Sequence, residues 1–254
     1  MRMKTLLLAL CIAGTTAFAQ QKVKYSKEER KEMNRYLFNE GFNTATDKKV
    51  STIILKDNTE HQGYSKSWEK QKGQILSITI EDVDTRKPMK FAAADIAEMF
   101  LYATETEKSM KAAKFISNMR NYSTKKYSKS VTDDAIPYEN QIVSLKNKKE
   151  PKAFLMQVIN PEFNELITVY HDPFASETMS TGFAGAPAFG GGVIKSYYIR
   201  KGDKVMWLHK DDFEDNYDFL FGDNVEFMKK YPKNSVEWNY LSFLIYQYTE
   251  MSHG

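Results

Sequence analysis

The sequence predicts an α+β protein: an antiparallel β-rich body, a meander or partly open barrel over roughly residues 48 to 208, followed by C-terminal helices. Three observations carry this. Short runs of alternating apolar and polar residues recur between Val50 and His209, as in QILSITIE, where Leu76, Ile78 and Ile80 alternate with Ser77, Thr79 and Glu81. Turn residues break those runs at short intervals, which favours hairpins over long crossover connections. Beyond Asp211 the spacing lengthens to that of helices.

The chain opens with MRMKTLLLALCIAGTTAFA. Basic Arg2 and Lys4, an apolar run from Leu6 to Ala13, and small Ala17 and Ala19 give the layout of a cleavable signal peptide over residues 1–19. The apolar run is too short to span a bilayer. A lipoprotein reading through Cys11 is disfavoured by bulky Leu10 before it. Removal of the leader leaves residues 20–254 as one α+β domain without cysteine, so disulfides and thiol catalysis are excluded by inventory.

YSKEERKEMNRYLF places Ser26 three residues before Glu29, the capping-box spacing of a helix start, with Met33, Tyr36 and Leu37 on one side. From Val50 follow VSTIIL, a turn at Asp57 and Asn58, HQGYSKSW with an irregularity expected at Gly63, QILSITIE, and PMKFAAADIAEMFLY with a kink near Asp95. TETEKSMKAAKFISNMRNY turns helical. Residues 121–139 read as an exposed excursion joining two sub-modules, 48–103 and 140–254. Strands resume in QIVSLKN, AFLMQVI and ELITVYH, and SYYIR and KVMWLH flank Gly202 and Asp203 as a tight hairpin. Asp223 with Glu226 and Asn234 with Glu237 repeat the capping spacing and predict two further helix starts. In the last helix Trp238, Leu241, Ile245 and Tyr248 form a buried stripe.

Charge excludes little. Without the leader, 34 Lys plus Arg stand against 33 Asp plus Glu, and nothing calls for nucleic acid. No later segment has membrane-spanning length.

Four features are candidates for function. STGFAGAPAFGGGVIKSYYIRKG holds six of the twelve glycines. It lacks the lysine and hydroxyl of a phosphate loop and matches no dinucleotide pattern, so it reads as a long hairpin loop that carries Phe183 and Phe189 for docking a partner or a sugar ring. The segment 104–130 carries seven basic residues, among them Lys111, Lys114, Lys125 and Lys126, against Glu105 and Glu107. It is the expected contact for an acidic partner or an anionic surface. His61, His171, His209 and His253 form no HExxH and no pair at helical spacing, so no metal site and no cofactor are expected. DDFEDNYD breaks the alternation of a calcium loop at Phe213, and its acids suit the start of a helix instead.

No GxSxG elbow marks a serine hydrolase. A carboxylate pair for glycan cleavage leaves no local spacing to find, so that class stays open. A signal peptide, a turn and glycine in LKDNTEHQG, AADIAEMF, the strands ELITVY and KSYYIRKG, and a terminal aromatic helix occur here in an order that resembles a group of exported proteins of outer-membrane bacteria whose role is uncharacterised. The resemblance implies an α+β fold and location in the periplasm, at the outer-membrane periphery or outside the cell. It transfers no catalytic residue. The expected function is non-catalytic binding or scaffolding in the envelope, toward an envelope protein, a glycan or an anionic lipid surface. The alternatives are a glycan hydrolase with paired carboxylates and a small-ligand carrier.

Overall fold

The computed structural model describes residues 23–34, 36–117, 135–176 and 193–253. The leader, Phe183, Phe189, Lys125 and Lys126 lie outside the described residues. Within them the fold is α+β, with two antiparallel sheets of seven and three strands followed by C-terminal helices.

Six strands of the first sheet close on themselves. They are β1 (Val50–Leu55), β2 (Glu60–Gln71), β3 (Gln74–Asp82), β5 (Ile96–Leu101), β6 (Ile136–Val143) and β7 (Lys152–Gln157). Around the ring β1 pairs with β2, β2 with β3, β3 with β7, β7 with β6, β6 with β5 and β5 with β1. Closure between β3 and β7 rests on Ile75 opposite Leu155. Past that point β3 pairs instead with β4 (Pro88–Ala92). The side-chain amide of Asn140 donates to the Ala93 carbonyl across the resulting seam. Residues 136–139, read from sequence as the end of an exposed excursion, begin β6, with Ile136 and Tyr138 buried, and the barrel draws strands from both sides of that segment.

The barrel is filled by Ile53, Ile75, Ile78, Ile80, Ile96, Met99, Leu101 and Leu155. Two irregularities differ from expectation. Gly63 stays in register opposite Asp82; a Cβ there would sit 2.5 Å from the Glu81 carbonyl oxygen, so the glycine permits close strand approach. The register shifts instead at Lys66, where Ser65 faces Ile80 and Ser67 faces Thr79, and at Leu76, because Glu69 faces Ser77 while Lys70 faces Ile75. One extra residue reverses the facing order, so Ile75 points inward and Leu76 outward.

β7 continues beyond the barrel and ties in the second sheet. The Ile159 amide donates to the Val169 carbonyl and the His171 amide to the Gln157 carbonyl, each at 2.9 Å. That sheet holds β8 (Ile167–Tyr170), β9 (Ser196–Lys201) and β10 (Lys204–His209). The hairpin at Gly202 and Asp203 forms as expected, with Gly202 at φ 55°. Alternation gives the sheet two buried faces. Tyr170, Tyr198 and Trp207 pack on Phe154 and Met156 from the outside of the barrel. Ile167, Val169, Ile199 and Leu208 pack on the helices.

Those helices are α1 (Lys27–Met33), α3 (Tyr217–Phe221), α4 (Val225–Lys230) and α5 (Leu241–His253). The Ser26–Glu29 capping box forms in both directions. Asn224 caps α4 in place of the expected Asp223, whose carboxylate is engaged by Lys201 and Tyr248. In place of the expected helix from Asn234 stand two 3-10 turns, Lys233–Ser235 and Trp238–Tyr240, separated by extended Val236 and Glu237, and α5 follows from Leu241. Trp238 is thereby freed to donate its indole N–H to the Ile194 carbonyl at 2.7 Å.

Candidate functional site: the mouth of the barrel

Several residues of catalytic type come together at one end of the barrel. Gln74 at the β2–β3 turn, Tyr138 at the start of β6, Leu155 and Gln157 at the end of β7, and His171 after β8 meet there, with Phe42, Trp68 and Lys70 around them. Facing them is α2 (Glu105–Ser117), which begins just after β5 ends at Leu101. A strap, residues 39–46, crosses this mouth between the two.

An extended strap brings backbone amides and carbonyls that need partners. Its ends are held by the main chain: the Asn39 amide donates to the Ile159 carbonyl at 2.6 Å and the Thr46 amide to the Tyr102 carbonyl at 2.7 Å. Side chains hold the middle. Gln157 accepts from the Phe42 amide at 2.7 Å and donates to the Glu40 carbonyl at 2.8 Å, imitating a neighbouring strand. The Glu107 carboxylate accepts from the Asn43 amide at 2.8 Å, the Thr44 amide at 3.0 Å and the Thr44 hydroxyl. Lys70 donates to the Asn43 carbonyl at 2.7 Å, its ammonium lying 4.1 Å from the centre of the Trp68 ring.

Burial governs the titration of these groups. His171 is pushed down to about 4, first by burial and then by the charge of Lys111, so its ring is neutral at neutral pH. Gly41 lies flat against that ring: a Cβ at Gly41 would sit 2.2 Å from His171 Nε2. Lys70 is lowered by burial, against the opposing pull of Glu107. Burial, with Glu107 nearby, raises the Tyr138 phenol, whose oxygen has no hydrogen-bond partner. The hollow left among these groups measures about 230 Å³ when the space open to solvent is counted. Its enclosed part has room for roughly one water molecule.

Chemically, this arrangement fastens. Glu107 spends three of its acceptor positions on the strap, and Gln157 uses both ends of its amide there.

A second polar network joins barrel and sheet. Arg200 donates to the Tyr170 hydroxyl at 3.0 Å and Thr168 at 2.8 Å, and Tyr170 donates to Glu139 at 2.6 Å. Beside it, Asp172 accepts from Ser196 at 2.7 Å and from the Trp207 indole at 2.8 Å. Each of these partners lies within the fold.

Of the residues singled out from sequence, Lys111 stands at the mouth, 3.7 Å from Glu40. Lys114 falls in the last turn of α2, and its side chain is outside the described part. Among the described residues no group of three or more His, Cys, Asp or Glu is placed to hold a metal. Sequence reading missed Glu107, Gln157, Tyr138 and Lys70, which lie on four separate elements and share no local spacing. It also passed over Ser67 and Lys70, which have the SxxK spacing of serine enzymes acting on cell-wall peptides. On strand β2, residues three apart point to opposite faces, and Lys70 reaches Asn43 instead. No family model, no curated protein and no solved structure matches the chain.

Proposed function

We propose that the chain is an exported protein of the cell envelope that binds or scaffolds through its exterior and carries out no chemistry. The observation that carries this reading is the engagement of Glu107: the buried carboxylate at the mouth is bound to the Asn43 and Thr44 amides and the Thr44 hydroxyl. The side-chain-filled barrel supports the same reading, because a carrier would keep that interior open. The leader-like pattern of residues 1–19 supports export.

Incubating the purified chain with envelope glycans, and crosslinking it in intact cells from exposed Phe174, tests the proposal. The expected result is no glycan turnover and capture of an envelope component. Turnover that disappears in Glu107→Gln would replace this reading with a hydrolase.

A further inference from the structure

At the end of the barrel away from the mouth, the β6–β7 hairpin carries Lys146, Lys148, Lys149 and Lys152 with Glu150 as the only acid, a net charge of plus three over residues 146–152. Lys148, Lys149 and Lys152 are exposed. None of the four lysines has an ion-pair partner among the described residues, whereas Lys66, Lys90, Lys108, Lys111, Lys201 and Lys229 are each paired with a carboxylate.

The tip is held rigid. Leu145 is buried. The Lys146 amide donates to the Tyr198 hydroxyl at 3.1 Å, and the Lys149 amide to Ser144 Oγ at 3.0 Å. The Asn147 amide group clasps Trp207 in both directions, donating to its carbonyl at 2.8 Å and accepting from its N–H at 3.1 Å. This clasp covers the open edge of β10. Lys146 and Asn147 sit in succession in the left-handed region, at φ 54° and 53°. Two successive non-glycine residues in that region are strained, and strain of this kind is retained where surrounding structure enforces it.

An apolar residue stands beside the charge. Ile136, Tyr138, Asn140 and Ile142 form the inward row of β6, and Ile142 continues it past the filled part of the barrel, where it is 65% exposed. It faces Ala153 across the strand pair. Lys152 pairs with Val143 and so lies on the other face from Ile142. Unneutralised Lys148 and Lys149 at the tip, on the same hairpin as an exposed aliphatic side chain, match a surface that is anionic outside and hydrocarbon beneath; an acidic protein face would supply only the first.

We infer that the β6–β7 hairpin docks the chain onto an anionic phospholipid surface, with Lys148 and Lys149 at the phosphates and Ile142 reaching toward the acyl boundary. This rests on the exterior-binding reading and names one partner for it.

Sedimentation with phosphatidylcholine vesicles, with and without roughly one-third phosphatidylglycerol, tests it at low and high salt. The expected result is binding to the phosphatidylglycerol vesicles alone, lost at high salt. Lys148→Gln with Lys149→Gln should weaken the partition about 30-fold, at about fivefold per lysine. Ile142→Ser should weaken vesicle binding and leave retention on a heparin column unchanged. Thermal unfolding controls for folding of the variants.

No binding to the anionic vesicles at low salt, or a lysine double variant that binds like the parent, overturns the inference. Vesicle binding unaffected by Ile142→Ser overturns the contact assigned to Ile142, and heparin retention without vesicle binding overturns the inference and points to an acidic macromolecule. Failure here leaves exterior binding intact if the Phe174 crosslink still captures a component. Glycan turnover would sink that reading without touching the vesicle result.

Discussion

The two ends of the barrel use lysine in opposite ways. At the mouth Lys70 and Lys111 are turned onto the protein itself, one to the Asn43 carbonyl and the other toward Glu40, and they help fix a strap that the backbone alone leaves unsatisfied. At the β6–β7 hairpin Lys148, Lys149 and Lys152 have no such duty: the loop is held by Tyr198, Ser144 and Trp207, so those charges are left for the outside. The difference teaches where to look for function here. Ionisable groups that converge are structural when loop backbone lies among them, and a charge cluster left unpaired on a rigid support is the better candidate for a contact.

The comparison breaks first at Glu107. Removing a buried carboxylate that satisfies two amides and a hydroxyl orphans all three, so Glu107→Ala is expected to cost about 3 kcal/mol in chemical denaturation. A loss near zero would mean that the strap is not fastened there. Next comes His171. Its folded value of about 4 lies below the ordinary 6.5, so the unfolded chain takes up a proton on acidification before the native state does. Stability from this group is fully present above pH 6.5 and declines as pH falls toward 4, by roughly 3 kcal/mol in all. His171→Gln should flatten that part of the curve. A smaller loss, about 2 kcal/mol, is expected for Gly41→Ala, because the added methyl meets the His171 ring and the strap must shift. The denaturation midpoint measures it, and the midpoint of Gly63→Ala should fall as well, because its methyl meets the Glu81 carbonyl.

Much of the architecture was legible in the sequence because it is local. The Ser26 box, the Gly202–Asp203 hairpin and the break near Asp95 are decided within a few residues, and all three form. The α+β class followed from the change of period. What was not legible is what strand pairing decides. Leu76 was assigned inward because strict alternation was assumed, and the bulge at Leu76 itself put Ile75 there instead. The Asn234 spacing resembled a cap, yet the chain is extended at Val236 and Glu237, and Trp238 beyond them bonds to Ile194, far away in the chain. The mouth was invisible for the same reason: Phe42 and Gln157 are 115 residues apart, and only closure of the barrel brings them together. Lys111 reached it as a residue marked for its charge, while its pairing with Glu40 depended on the fold.

The smallest expected effect is also the sharpest test of the contrast between fastening and idle groups. Tyr138 sits among the fasteners and is buried like them, but its hydroxyl bonds to nothing. A buried hydroxyl without a partner loses its hydration and gains no bond in return. Tyr138→Phe removes the oxygen and keeps the ring against Trp68, 6.5 Å away between centres, so stability should hold or rise by up to about 1 kcal/mol. A drop of the size expected for Glu107→Ala would show that the phenol holds the strap in solution. The mouth would then have one more fastener, and Lys148 and Lys149, whose double exchange for glutamine should move the denaturation midpoint by less than about 0.5 kcal/mol, would be the better example of groups kept free of the fold.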